Sequence, residues 1–240
     1  MAPSNFKILA YDETPLGMLY LRRRELLSEP GTVVTEVTLN HEFLMSSLHT
    51  DSERALATMG LEMVSGSDLR VLIGGLGLGY TAHEVLKDDR VKHVEVVEFL
   101  PEVISWLDRN LIPLGAELKS EERLTIVQGD VYARLSEAPV SMFDLVLIDV
   151  DHSPDEHLNG ANSWFYTEEG LRAVVRHISD SGGLGVWSFA ESNDFRSALE
   201  KVFSTVSVAP VSFENKHSNE VTTDWLFLAG RQDSKTRSEL

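Results

Sequence analysis

The sequence predicts an α/β fold. A doubly wound, mostly parallel sheet is covered by helices, closed by an antiparallel C-terminal strand pair and preceded by a small antiparallel β domain. Three observations predict it. From Leu69 onward, short apolar runs alternate with segments of helical period. The first of those runs, Val71-Leu72-Ile73, passes directly into a glycine-rich turn. Residues 6 to 40 instead carry strand-type alternation punctuated by turn residues. The division expected from this change of texture is 1–48 for the β domain and 49–240 for the α/β domain.

In chain order, Phe6 to Tyr11 and Met18 to Leu27 read as strands around the turn Thr14-Pro15-Leu16-Gly17. Pro30-Gly31 makes a second turn. Val33, Thr35, Val37 and Leu39 then share one face of a half-buried strand. Thr50-Asp51-Ser52-Glu53 has capping-box spacing ahead of the apolar face Ala55, Leu56, Met59 and Met63. Strands follow at Leu69 to Ile73, Val94 to Val97, Leu124 to Val127, Leu145 to Ile148 and Leu184 to Phe189. Helices between them are expected over Tyr80 to Leu86, from Pro101 through Leu111, over Val131 to Leu135, and from Leu171 to a stop at Gly182-Gly183. Another is marked by Phe195, Ala198, Leu199 and Val202, and Val206 to Phe213 pairs with Trp225 to Ala229 at the end.

Composition narrows the chemistry. The 240 residues contain no cysteine, which excludes disulfides, thiolate metal sites and cysteine nucleophiles. The formal net charge of −17 repels nucleic-acid phosphates, and the one basic run, Arg22-Arg23-Arg24, is expected on a solvated strand edge. Met1 to Lys7 has no leader pattern, and no apolar run reaches the ~20 residues of a bilayer span. The expectation is a cytoplasmic protein with no nucleic-acid or membrane partner.

Four motifs converge on the carboxyl edge of the sheet, where ligands of such folds bind. Gly75, Gly77 and Gly79 form a G-x-G-x-G loop. Tyr80 stands where the dinucleotide fingerprint needs its third glycine, and no Lys-Ser/Thr follows, so a nucleoside without phosphates suits the loop better. Glu98, at the tip of the next strand, can accept hydrogen bonds from ribose hydroxyls. Asp130, after Gly129, could meet an adenine amino group, cap the helix that begins at Val131, or do both. The strand ending in Ile148 delivers Asp149, Asp151 and His152, candidates for a base towards an amine or hydroxyl. Asp155 and His157 stand nearby without the helical spacing of a metal site, so no metal is expected.

Together these residues resemble the class I S-adenosylmethionine-dependent methyltransferase fold, a Rossmann-like architecture, and more closely its spermidine synthase-like branch. The resemblance runs from about residue 6 to 229. It implies S-adenosylmethionine or its decarboxylated form as cofactor, held by Gly75, Gly77, Gly79, Glu98, Asp130 and Val131. Asp149 stands where the family carries its amine-deprotonating aspartate, and dimers are common in the family. Asp151, His152, Met45 and Ser47 are the implied substrate residues, but here the chain departs from the pattern. Gly77 replaces the acid of the family's glycine loop, His152 replaces the second acid after Asp149, and Met45 and Ser47 replace a Tyr and a Glu. A cationic acceptor is left without acidic partners. The expected reaction is therefore methyl transfer to a small molecule, with aminopropyl transfer to a diamine as the first alternative and a non-catalytic cofactor-binding module as the second. Glu98→Ala should weaken nucleoside binding in a calorimetric titration. Unchanged affinity would remove the ribose assignment.

Overall fold

The computed structural model describes residues 6–150, 162–215 and 220–231. Four strands come first: β1 (Phe6–Thr14), β2 (Gly17–Glu25), β3 (Val33–Leu39) and β4 (Glu42–Ser46), paired antiparallel in that order. Thr14 makes the first turn by accepting the Leu16 N–H on its hydroxyl, which in turn donates to the Gly17 carbonyl. Strand β4 was not anticipated. Its hairpin turn is Asn40-His41, with φ of 50° and 72°, so a left-handed pair is built without the glycine that usually signals it.

Helix α1 (Asp51–Glu62) leads into β5 (Leu69–Gly74), α2 (Tyr80–Val85), β6 (Val91–Glu98), α3 (Pro101–Asp108) and α4 (Gly115–Ser120). Then come β7 (Leu124–Gln128), α5 (Val131–Ser136), β8 (Phe143–Ile148) and a 3₁₀ turn over Ser163–Tyr166. Helix α6 (Glu168–Val175), β9 (Ile178–Ser188), α7 (Asn193–Glu200), β10 (Thr205–Asn215) and β11 (Glu220–Gly230) complete the described chain. The seven strands β5 to β11 form one sheet in the order β10-β11-β9-β8-β5-β6-β7. Strands β9, β8, β5, β6 and β7 run parallel, whereas β11 and β10 are antiparallel additions. The expected architecture is the one observed.

Strand alternation explains the layers. Val71 and Ile73 of β5, Val94 and Val96 of β6, and Leu145 and Leu147 of β8 face one buried cluster. Leu72, Val97, Val146 and Ile148 face the other. Each central strand therefore has to be apolar on both sides, which is why it reads as a continuous apolar run. The first cluster takes in Leu19, Leu21, Val37 and Leu39, so the N-terminal sheet packs its inner face on the same core. The chain steps outward from β5 through β6 to β7, then returns to the other side of β5 with β8. That reversal opens a crevice at the carboxyl ends of β5 and β8.

Three local expectations are corrected. Arg22-Arg23-Arg24 lies on β2, an inner strand rather than a free edge. Arg22 and Arg24 each reach Glu36 of β3 at 2.7 Å, and Arg23 donates to the Leu111 carbonyl, tying the small sheet to the large domain. The helix expected to run to Gly182-Gly183 ends at Val175. The glycines lie inside β9, where a Cβ on Gly182 would come within 2.6 Å of the Asp144 carbonyl oxygen. The capping box at Thr50 does not form: Thr50 makes no side-chain cap, and its hydroxyl accepts instead from Arg54 Nε.

Burial alone would raise the Glu36 carboxyl, but the hydrogen bonds from Arg24 and Arg22 outweigh it and hold the group below its ordinary range. Glu36→Ala would leave both guanidiniums without their acid beside the core. We expect a loss of about 1–3 kcal/mol in urea unfolding. An unchanged midpoint would show that the clamp contributes nothing.

Candidate functional site

The glycine loop is set by close approach. Gly75 has φ of 97°, and a Cβ there would sit 2.1 Å from the Asp149 carbonyl oxygen. Only glycine lets the end of β8 come so near. The same junction is laced by backbone bonds from Asp149 N–H to the Gly74 carbonyl and from Gly75 N–H to the Val97 carbonyl, at 2.8 and 2.9 Å. Glu98 finishes the lacing. One carboxylate oxygen accepts the Leu76 N–H and the other the Leu100 N–H, both at 2.8 Å. Burial pushes this carboxyl up, against the backbone N–H groups that favour its charged form. Glu98 thus shapes the loop and also lines a cavity.

That first cavity, of about 290 Å³, lies over the loop. Gly75, Gly77, Glu98, Asp130, Val131 and Asp149 all line it. Its cover is apolar and includes Leu16 and Leu19 of the β1–β2 hairpin. Asp130 caps α5, its Oδ1 accepting the Tyr132 and Ala133 N–H groups at 2.8 and 3.3 Å, while still bordering the cavity. The cap and the cavity position hold together.

A second cavity, of about 390 Å³, opens on the other side of the loop. Leu44, Met45, Gly77 and Asp149 line both, so Asp149 stands where the two meet. Gly77 makes room for Met45 of β4: a Cβ there would meet the Met45 Sδ at 2.9 Å. Thr81 of α2 donates its hydroxyl to Asp149 Oδ2 and so orients the carboxylate. Gly79 lines the second cavity rather than the first. Ser47 lies outside the lining of both. Its hydroxyl accepts the Thr35 N–H at 2.9 Å. Asp151 and His152 lie outside the described residues.

Two acids missed in the sequence join Asp149. Glu53 of α1, read as a capping residue, faces the second cavity, and Asp224 of β11 faces it from the sheet. No described Lys, Arg or His pairs with any of the three. Arg54, next to Glu53, bridges to Glu84 at 2.7 Å and lines neither cavity. Enclosure by protein, and secondarily the Asp224 charge, push Asp149 up to about 6, against the Thr81 hydrogen bond. Burial and then the Asp149 charge push Glu53 up to about 8. Burial raises Asp224 as well, opposed by the Ser52 hydroxyl. The second cavity is therefore lined by two acids that the sequence reading did not count. The acids come from α1 and β11, distant in sequence, and no local motif announces them.

Aromatic residues finish the walls. Tyr80, Trp187, Phe189 and Phe213 line the second cavity, and His49 stacks on Phe213 with centroids 4.8 Å apart. The run Trp164-Phe165-Tyr166 serves mainly as packing, since Phe165 is buried against Tyr132 and Phe195.

Comparison with known proteins agrees with this architecture. Residues 51–185 match the family described as the spermine/spermidine synthase domain. Polyamine aminopropyltransferase 2 of Ralstonia nicotianae is 32% identical over 130 residues, covering 53% of this chain and 24% of that protein. A polyamine aminopropyltransferase of Prochlorococcus marinus is 36% identical over 152 residues, covering 63% of this chain and 45% of its own. The matches thus span about a quarter to a half of these relatives. Spermidine synthase from Thermotoga maritima superposes with a TM-score of 0.71 at 16% identity, over 96% of this chain and 74% of its own. No described helix is long and apolar enough to cross a membrane.

The acids make stability fall as pH rises. Glu53 and Asp149 hold protons in the native state above the ordinary carboxylate range near ~4, where the unfolded chain has released them. The native state binds more protons, so the loss runs from about pH 4 up through about 8, ending as Glu53 ionises. Glu53→Gln should flatten the fall in urea midpoint between mildly acidic and mildly alkaline buffer. An equal fall in the variant would refute the assignment.

Proposed function

The chain belongs to the spermine/spermidine synthase domain family, and from that premise we propose that it transfers an aminopropyl group from decarboxylated S-adenosylmethionine to an amine. One observation carries the choice of donor. The two joined cavities are lined by the carboxyls of Glu98, Asp130, Asp149, Glu53 and Asp224, and no Lys or Arg is among their described lining residues. A donor that kept its amino-acid carboxylate would add a negative charge to a space where no described Lys or Arg lines the wall to receive it, His49 being the one described imidazole there. A decarboxylated donor brings only positive charge. The likeness to polyamine aminopropyltransferases supports the same choice over methyl transfer, the first expectation from the sequence.

The first cavity fits the nucleoside part. Glu98 offers its remaining lone pairs to ribose hydroxyls, Asp130 faces the base, and the apolar cover from the small sheet excludes water. When bound, the donor supplies a carbon made electrophilic by its sulfonium. The acceptor amine, in the second cavity, forms a new N–C bond as the C–S bond breaks. The electron pair of that bond leaves with sulfur as a neutral thioether, and the proton lost by nitrogen passes to Asp149. Asp149 has the place for this task, at the junction of the cavities, and a carboxyl raised to about 6 is a better proton acceptor than an ordinary one. Thr81 keeps it aimed. Confining both reactants in joined cavities supplies the orientation that such a displacement needs.

Titration calorimetry should show tighter binding of decarboxylated S-adenosylmethionine than of S-adenosylmethionine. The reverse order would restore methyl transfer. Turnover should rise with pH on a limb near 6, where Asp149 loses its proton. Asp149→Asn should lower kcat by roughly 10²-fold or more with donor affinity kept. A variant as fast as the parent would remove the base.

A further inference from the structure

Asn162 lines the first cavity, as does Asp130. Packing sets the two on one wall. Asn162 opens the 3₁₀ turn over Ser163–Tyr166, its backbone carbonyl accepting the Phe165 N–H at 3.1 Å. That turn rests on Tyr132 of α5. The Phe165 and Tyr132 rings meet edge to face with centroids 5.0 Å apart, and the Tyr166 and Tyr132 hydroxyls are 3.1 Å apart. Tyr132 in turn donates its N–H to Asp130 at 2.8 Å. The turn and the start of α5 are thus one unit, and the Tyr132 hydroxyl is spent inside it. Asn162 and Asp130 bring its uncommitted polar atoms to the cavity.

The Asn162 side chain does no work in its own turn. It makes no cap bond, and no described residue hydrogen-bonds its amide. The turn is closed by the backbone carbonyl, which any residue would supply. The two polar side chains differ in what they offer. Asp130 spends Oδ1 on the Tyr132 and Ala133 N–H groups and keeps Oδ2 for the cavity, where a carboxylate can only accept. The Asn162 amide carries an acceptor and a donor side by side. An exocyclic amino group has two protons, and Asp130 can take one. An asparagine amide can take the other on its oxygen while its NH₂ donates to N7 of the same purine, the pairing by which Asn reads adenine in a DNA groove. We propose that Asn162 reads the N6/N7 edge of the donor's adenine and, with Asp130, makes the first cavity specific for a 6-aminopurine. This rests on the reading of that cavity as the nucleoside site and adds the residue that selects the base.

The test is calorimetric titration of the full chain with 5′-methylthioadenosine and with its 7-deaza analogue, in which a C–H replaces N7. The wild type should bind 5′-methylthioadenosine about tenfold more tightly, the loss expected when one hydrogen bond is removed and its donor is left unpaired. Asn162→Asp keeps the acceptor and removes the donor, whereas Asn162→Ala removes both. Each variant should bind the two nucleosides within about twofold of one another, because the coupling between residue and ring nitrogen is gone. A residue that only shaped the turn would weaken both nucleosides alike and leave the preference intact. Retention of the wild-type preference in either variant would overturn the proposal, as would a wild type that binds the two nucleosides equally. A wild type that binds neither would refute the nucleoside reading of the first cavity, and the proposal with it.

Discussion

The arrangement depends on the contact between the glycine loop and the end of β8. Gly75 meets the Asp149 carbonyl where no side chain fits, and the Asp149 and Gly75 N–H groups lock onto β5 and β6. Glu98 then pins the loop through Leu76. Three strand ends become one rigid edge, and Asp149 has no freedom to leave it. Both cavities inherit their shape from that edge. A looser loop would separate the first cavity from Asp149, and groups about an ångström out of place lose much of the advantage of confinement.

Around this edge the chain collects carboxyl groups, and no described Lys or Arg lines the two cavities. The arginines near the site are committed elsewhere: Arg54 to Glu84, and Arg22 and Arg24 to Glu36. Not all of the carboxyls counted in the formal charge of −17 are on the surface, because several stand in enclosed space. Enclosure matters more than the total. An exposed carboxylate is solvated and indifferent, whereas Glu53 and Asp149 keep protons well above the ordinary range. Such groups exchange protons near neutral pH.

The small N-terminal sheet takes part in the same design. Its inner face shares the core of the large sheet, and its β1–β2 hairpin brings Leu16 over the first cavity. Met45, from β4, lines both cavities where the glycine loop carries no side chain. The departure at Gly77 and the methionine opposite it are complementary in volume, so neither is intelligible alone.

The sequence by itself determined the sheet and its loop. Double-sided apolar strands such as Val71-Leu72-Ile73-Gly74 can only be central, and a run of glycines at a strand end marks a ligand loop. Glu98, Asp130 and Asp149 were legible because each ends a strand or opens a helix within a few residues of its own signal. Strand β4 was not, since Asn40-His41 forms a left-handed turn without glycine. Glu53 was read as a helix cap because its spacing fits one, and Asp224 carried no local signal at all. Only the tertiary structure decided their role. Acids separated by more than a hundred residues acquire shared chemistry when folding removes the water between them, and sequence spacing carries no record of that.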